Sequence, residues 1–356
     1  MIMTDARTDT STAASNSGDT HDVLQAKGLT RTFRVGSGLR GRGRLHAVDD
    51  ANFSIGRSEI VALVGESGSG KSTIARLLAQ VYRPTSGEIF FDGKPLSSLR
   101  SRREVLRYRA AVPMVFQDPF SSLNPAYPVS HGILRGLKLH RPDIAPGERR
   151  AEAERLLTAV GLSPAAQIVD RYPYELSGGQ RQRIGFAQAL AYRPKLILAD
   201  EPVSMLDISI RIGLLNVMTA LRDEQGVSLL YITHDIASAR YVADRMMVMY
   251  AGRIVESGPV DDVLGDPRHP YTQLLVAAVP DPRAELAVTA EMAKGEPPKV
   301  IDPGPGCRFA DRCPLARDVC RTTTPPLLEL APGIEVACHV AAEEAGRGTE
   351  SMATAR

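Results

Sequence analysis

The stretch Gly65-Glu66-Ser67-Gly68-Ser69-Gly70-Lys71-Ser72 constrains this chain more than any other. It reads G-x-x-x-x-G-K-S and stands between an apolar run, Ile60 to Val64, and a helix-forming run, Thr73 to Leu78. Strand, glycine loop and helix in that order wrap a phosphate chain. The glycines let backbone N–H groups face inward, and the new helix points its positive end at the same anion. In that geometry Lys71 reaches the β- and γ-phosphates, and the Ser72 hydroxyl ligates Mg²⁺. An ordinary Gly/Ser-rich turn does not account for eight matching positions in this setting.

Composition narrows what surrounds the loop. With 356 residues, 43% of them hydrophobic, the chain can bury the core of one large or two modest domains. A formal net charge of +2 implies no strong field for nucleic acid, and the absence of Trp argues against a stacking platform for single strands. No apolar run approaches a bilayer span, and the first residues lack a charged-then-apolar signal. The expected place is the cytosol, with any membrane link made through a partner. The four cysteines all fall between Cys307 and Cys338, a clustering that points to metal or redox chemistry more than to disulfides.

Residues 1–22 are Ser/Thr/Asp/Ala-rich and read as a disordered arm. Strands are expected from Val23 to Phe33 and from His46 to Ile55, joined by a flexible basic loop, Gly36 to Arg44. A short strand ends at the turn Asp92-Gly93, and another candidate, Ala111 to Phe116, ends at Gln117. Residues 130–190 look mainly helical. Alternation of strand and helix then resumes: Leu196 to Glu201, the helix Ile208 to Glu224, Val227 to Thr233 ending at His234, and a hairpin across Ala251-Gly252. Chemistry at the carboxyl ends of strands implies a mostly parallel, doubly wound α/β sheet. From about residue 259 the pattern breaks into a Pro-rich, Cys-containing stretch, expected to be a separate small module to residue 340, and a disordered tail, 341–356.

Two further stretches carry chemistry. Asp200 and Glu201 end a buried-type strand; Asp200 can hold Mg²⁺ through water, and Glu201 is placed to polarise an attacking water. Leu176-Ser177-Gly178-Gly179-Gln180 opens a helix and supplies a second N-terminus able to bind phosphate. One γ-phosphate and two phosphate-binding helix ends suggest a head-to-tail dimer in which each nucleotide touches both chains. The simpler reading of Ser177 is an N-cap, which explains one serine of the five-residue run. His234 ends a buried strand beside the acids, where an imidazole can bond a phosphate oxygen.

Gly65–Ser72, Gln117, Leu176–Gln180, Leu198–Glu201, Ser204-Met205-Leu206-Asp207 and His234 stand in the order seen in ATP-binding subunits of ABC transporters, which this sequence resembles from about residue 23 to 340. The resemblance implies a P-loop NTPase (RecA-like) α/β fold. A mostly parallel sheet would be joined by antiparallel β and helical subdomains, with the ATP-binding domain at 23–258, its helical part at 118–192 and a C-terminal module at 259–340. It implies that Phe33 stacks on adenine, although Tyr is commoner there, and that Gly65 to Thr73, with Glu66, Ser67, Gly68, Ser69 and Gly70, cradle ATP. Gln117 is implied to sense Mg²⁺ and the membrane partner. Ser177, Gly178, Gly179 and Gln180 would serve the opposite chain's nucleotide, Asp207 would couple the two sites, and His234 would contact the γ-phosphate. Met205 stands where that family usually has alanine.

Phe116 to Pro125, Asp266 to Thr272 with Ala277-Ala278-Val279-Pro280, and Gly306-Cys307-Arg308-Phe309…Arg312-Cys313-Pro314 resemble the dipeptide and oligopeptide importer branch. The Gly/Arg loop resembles the second of its two ATPases. The implied partners are a second homologous ATPase, two transmembrane permeases and an extracytoplasmic peptide-binding protein, with the chain peripheral at the cytoplasmic face. Nickel and some sugar importers share the module. A soluble ABC ATPase of translation or DNA repair fits less well: the chain has one cassette and no long coiled-coil insertion. An iron–sulfur redox protein that binds ATP is the remaining rival. Cys307, Cys313, Cys320 and Cys338 are spaced C-x5-C-x6-C-x17-C, without the tight pairs of zinc ribbons. A structural [4Fe–4S] cluster, a zinc site, or four small buried hydrophobes are the alternatives.

Overall fold

The strand before the glycine loop shows why the chain folds as it does. A computed structural model describes residues 22–36, 43–118, 123–278 and 300–354, with side chains to residue 346. In it Ile60–Val64 (β3) is buried along its whole length. Ile60, Ala62 and Val64 face one apolar cluster, with Ile133, Leu157 and Phe186. Val61 and Leu63 face a second, with Leu24, Ile55 and Ile74. A strand with two covered faces needs an unbroken apolar run, and this is one. Each such side chain contributes about 1.5–3 kcal/mol by leaving water.

Among the described residues two sheets form. Leu24–Val35 (β1), Gly43–Ile55 (β2), Ser86–Phe91 (β4) and Lys94–Pro95 (β5) make an antiparallel sheet in the order β2-β1-β4-β5. The second sheet adds Met114–Val115 (β6), Leu196–Asp200 (β7), Ser228–Thr233 (β8), Arg245–Tyr250 (β9), Arg253–Pro259 (β10), Leu328–Ala331 (β11) and Ile334–Val336 (β12). Its order is β11-β12-β10-β9-β3-β8-β7-β6. Pairing is parallel from β9 through β3, β8 and β7 to β6, and antiparallel from β9 to β11. The expected α/β fold, with parallel and antiparallel parts, is therefore present. The Asp92-Gly93 turn takes φ of 47° and 73°, as a tight hairpin requires. Helices Ser130–His140, Arg149–Ala159, Ala165–Ile168 and Gly178–Leu190 make up the helical stretch.

The C-terminal stretch differs from the sequence expectation. Rather than standing apart, it completes the main sheet, with Glu256 and Ser257 of β10 opposite Val336 and Glu335 of β12. Tyr271 and Phe309 are fully buried against Tyr250, with ring centroids 4.5 and 5.2 Å away. The tail expected to be disordered is instead a helix, His339–Thr354. Val340 and Ala341 are buried on it, and Arg317 pairs with Glu343. The N-terminal arm 1–21, most of the basic loop, and residues 119–122 and 279–299 lie outside the described residues.

A buried polar group ties this stretch to the sheet. Glu256, fully buried, accepts the N–H groups of Arg268 (2.8 Å) and His269 (3.0 Å), and His269 Nδ1 accepts the N–H of Tyr271 at 3.0 Å. Burial pushes the His269 ring down from 6.5 to about 3. Between those values the unfolded chain binds a proton here that the folded chain does not, so stability should rise with pH in that window. The slope should reach roughly 1.4 kcal/mol per pH unit. His269→Asn keeps an acceptor for the cap and removes the titration. Urea midpoints across the window should then lose that slope relative to wild type, with Glu256 common to both proteins; parallel profiles would contradict the assignment.

Candidate nucleotide site

The glycine loop is built by close approach. A Cβ on Gly65 would lie 2.2 Å from the Met249 carbonyl oxygen of β9, and one on Gly70 would lie 2.2 Å from the Ala47 carbonyl oxygen of β2. Both take φ values, 152° and 111°, that side chains rarely adopt. Gly70 then caps the helix Lys71–Leu78, leaving that helix's first N–H groups at the loop. Lys71 is buried, and its Nζ donates to the carbonyl oxygens of Gly65 (2.7 Å) and Glu66 (2.8 Å). Burial lowers its pKa, while the carboxylates of Glu201, Asp200 and Glu66 pull it back towards the charged form.

The two acids have separate surroundings. Asp200, at the end of β7, is buried and accepts the Ser72 hydroxyl at 2.9 Å; burial raises its pKa and the Ser72 bond opposes the shift. Two hard oxygens on the loop and strand suit Mg²⁺, so the residues fit that ion. Glu201 follows with φ of 47°, a strained backbone anchored by its N–H bond to Ile232 of β8 at 2.9 Å. Its Oε2 accepts from Gln117 Nε2 at 3.0 Å, and its Oε1 lies 3.3 Å from His234 Nδ1. Two residues more than a hundred positions apart, Gln117 and His234, thus converge on one carboxylate.

An open cleft runs from these groups along the antiparallel sheet. Phe33, Ser67, Gly68, Gly70, Lys71, Ser72, Thr73, Gln117 and Glu201 line it. Phe33 meets Tyr82 edge-on at 5.4 Å and carries Arg31 over its ring at 4.6 Å. Ser69 is buried beneath the loop. The Glu66 side chain turns to the C-terminal region: Arg312 donates to both its carboxylate oxygens at 3.1 Å, and Tyr271 accepts the Glu66 backbone N–H at 3.0 Å.

Ser177, Gly178, Gly179, Gln180 and Asp207 do not line this cleft. Ser177 caps the helix Gly178–Leu190 in a reciprocal pair, its Oγ accepting the Gln180 N–H at 3.2 Å and Gln180 Oε1 accepting its own N–H at 3.0 Å. The helix reaches the cleft through buried Gln182, which donates to the Phe116 carbonyl, beside Gln117, at 3.0 Å. Asp207 is exposed at the start of the helix Ile208–Gln225, and Met205 is 63% exposed, so the exchange from alanine disturbs no core.

The expected iron–sulfur cluster is not supported. Cys307, Cys313, Cys320 and Cys338 are free thiols sharing one neighbourhood. Yet among the described residues no group of three His, Cys, Asp or Glu side chains is arranged to hold a metal ion. Burial raises the thiol pKa of Cys307 to about 11 and also raises those of Cys313 and Cys338. Cys307 and Cys313 pack against the main apolar cluster, and Cys320 is buried.

Sequence reasoning missed Arg312, Tyr271, Val300 and Ile301. The first two brace the loop, and the last two line the cleft. Arg312 lies in a motif noted only by resemblance, 246 positions from Glu66, and no local signal joins them.

Comparisons with known proteins agree with the geometry. Residues 48–204 match the ABC transporter family, and residues 255–320 match the oligopeptide/dipeptide transporter C-terminal region. The chain is 43% identical over 328 residues to the Probable peptide ABC transporter ATP-binding protein y4tS of Sinorhizobium fredii, covering 91% of each. It is 41% identical to the oligopeptide transport ATP-binding protein AppF of Bacillus subtilis, covering 89% of this chain and 97% of that one. Among solved structures, the dimeric post-hydrolysis state of the ATP-binding cassette MJ0796 with ADP and Pi aligns with a TM-score of 0.59 at 29% identity, over 67% of this chain and 98% of that one. The chain belongs to the ATP-binding proteins of ABC transporters, in the group that carries the oligopeptide/dipeptide transporter C-terminal region.

Proposed function

We propose that this chain hydrolyses ATP to drive import of dipeptides or oligopeptides through partner permeases, with Glu201 as the residue that orients the attacking water. The observation that carries the hydrolytic reading is the convergence of Gln117 and His234 on Glu201 beside the phosphate loop. The peptide reading rests on the named relatives and the matched C-terminal region.

The residues divide the work. Loop N–H groups from Ser67 to Thr73 and the Lys71 ammonium neutralise the phosphates, and Phe33 stacks on the base. Ser72 and Asp200 would hold Mg²⁺, and Gln117 would sense it. Bound Mg²⁺ neutralises charge on β- and γ-phosphate oxygens. Glu201 polarises the water, and His234 bonds the γ-phosphate. Positioning and charge neutralisation supply most of the rate.

Ser177 to Gln180 serve the nucleotide of a second, homologous ATPase in a head-to-tail dimer, and Asp207 links the two sites. Their place outside this chain's own cleft supports that reading. In such a dimer Ser177→Arg should impair the site on the partner's phosphate loop and leave nucleotide binding at Lys71 intact. Photolabelling with azido-ATP separates the two; loss of labelling only on Lys71's own chain would contradict the arrangement.

Residues 23–258, with 118–192 as the helical part, act as the ATP-binding unit, and 259–340 as its C-terminal extension. We place the protein peripherally at the cytoplasmic face, working with two permeases and an extracytoplasmic peptide-binding protein. Among the described residues no helix is long and apolar enough to cross a membrane. A strain lacking this chain should lose uptake of labelled di- to oligopeptides and regain it with the wild-type gene. Normal peptide uptake with impaired nickel or sugar uptake would move the substrate to another member of the group.

A further inference from the structure

The segment Val300–Asp302 is laid onto β2 from more than 250 positions away. The His46 N–H donates to the Val300 carbonyl at 2.8 Å, and the Asp302 N–H donates to the Arg44 carbonyl at 2.9 Å. Arg44 N–H returns a bond to Asp302 Oδ1 at 3.2 Å, and Leu45 and Ile301 face each other in an antiparallel bridge. Two ladder bonds and a side-chain clasp fix this segment far more firmly than a passing loop.

The anchorage presents a large apolar side chain to the nucleotide cleft. Val300 and Ile301 line the same cleft as Phe33, Leu45 and the loop residues Gly68 and Lys71. Ile301 is 45% exposed although its backbone is held on both sides. Space has been made for it, since a Cβ on Gly43 would stand 2.5 Å from its Cγ2. Lys71, Ser72, Gln117 and Glu201 supply polar groups to the cleft, and His46 adds another beside Leu45. Phe33, Val35, Leu45 and Ile301 make its apolar part. A nucleotide whose phosphates sit on Lys71 has only its base and ribose to place there.

We propose that Ile301 is a nucleotide-contacting residue that packs on the base and ribose from the same sheet face as Phe33, on the far side of Leu45, so that the C-terminal region supplies part of the ATP site of its own chain. This rests on reading the cleft as the ATP site. Covering apolar ring surface with a branched side chain favours ATP over a bare polyphosphate, because only the former has such surface to bury.

The test is calorimetric binding of ATP and of inorganic tripolyphosphate to the full chain, comparing wild type with Ile301→Ala and Ile301→Ser. ATP affinity should fall by about three- to tenfold, more for Ser, while tripolyphosphate affinity stays unchanged. Equal weakening of both ligands would make Ile301 a structural prop and overturn the proposal, as would unchanged ATP affinity in both variants. A wild-type chain that binds tripolyphosphate but gains nothing from the base and ribose would also overturn it. A wild-type chain that binds neither would overturn the nucleotide reading itself.

Discussion

Glu201→Gln should keep ATP binding within a few-fold of wild type and lower turnover by about 10²–10⁴-fold, the range expected for losing a positioned general base. The substitution preserves the side chain's size and its acceptor for Gln117, which donates from 3.0 Å. It removes the negative charge that draws a proton from water. Glu201 lies at a strained backbone position held by β8, so its aim depends on the sheet and not on the side chain's charge. With hydrolysis blocked, the closed dimer should accumulate with ATP. Gel filtration with ATP should show it, and rapid-quench assays should show the missing phosphate. Turnover at the wild-type rate would remove Glu201 from this role.

Lys71→Ala acts earlier, at binding. Lys71 is buried, and its ammonium bridges two loop carbonyls at 2.7 and 2.8 Å. Its loss removes the buried cation nearest the expected phosphates and the bridge that shapes the loop. Charge-assisted hydrogen bonds contribute about 1.5–3 kcal/mol each, so ATP affinity should fall by about 100-fold or more. Removing one buried cation also removes its desolvation cost, so the ligand-free variant should melt close to wild type. ATP-induced thermal stabilisation reads both effects in one experiment. Full stabilisation by ATP in the variant would contradict the role of Lys71.

The parts legible in the sequence are those whose cause is local. A two-sided buried strand, Ile60–Val64, needs consecutive apolar residues, and the loop after it needs glycine at Gly65 and Gly70 because carbonyls crowd them. The reciprocal Ser177 and Gln180 cap lies within four consecutive residues. The parts not legible depend on long-range pairing. Nothing in Ile334–Val336 says that it will extend the sheet beside β10, and nothing in Arg312 points to Glu66. The place of Glu66 in the loop gave no sign that its charge pairs with the C-terminal region. The cysteine cluster lacks support for a related reason: spacing counts residues, whereas a metal needs ligands gathered around one point, and no such group is found among the described residues.

The central claim is that ATP hydrolysis at Glu201 drives peptide across a membrane. Its most direct test is the transporter reconstituted in vesicles with this chain and its partners, measuring labelled-peptide uptake and phosphate release together. Both should depend on ATP and on the peptide, and Glu201→Gln in this chain alone should sharply reduce both. Undiminished peptide uptake with that variant, or phosphate release that nickel or sugar stimulates and peptide does not, would contradict it.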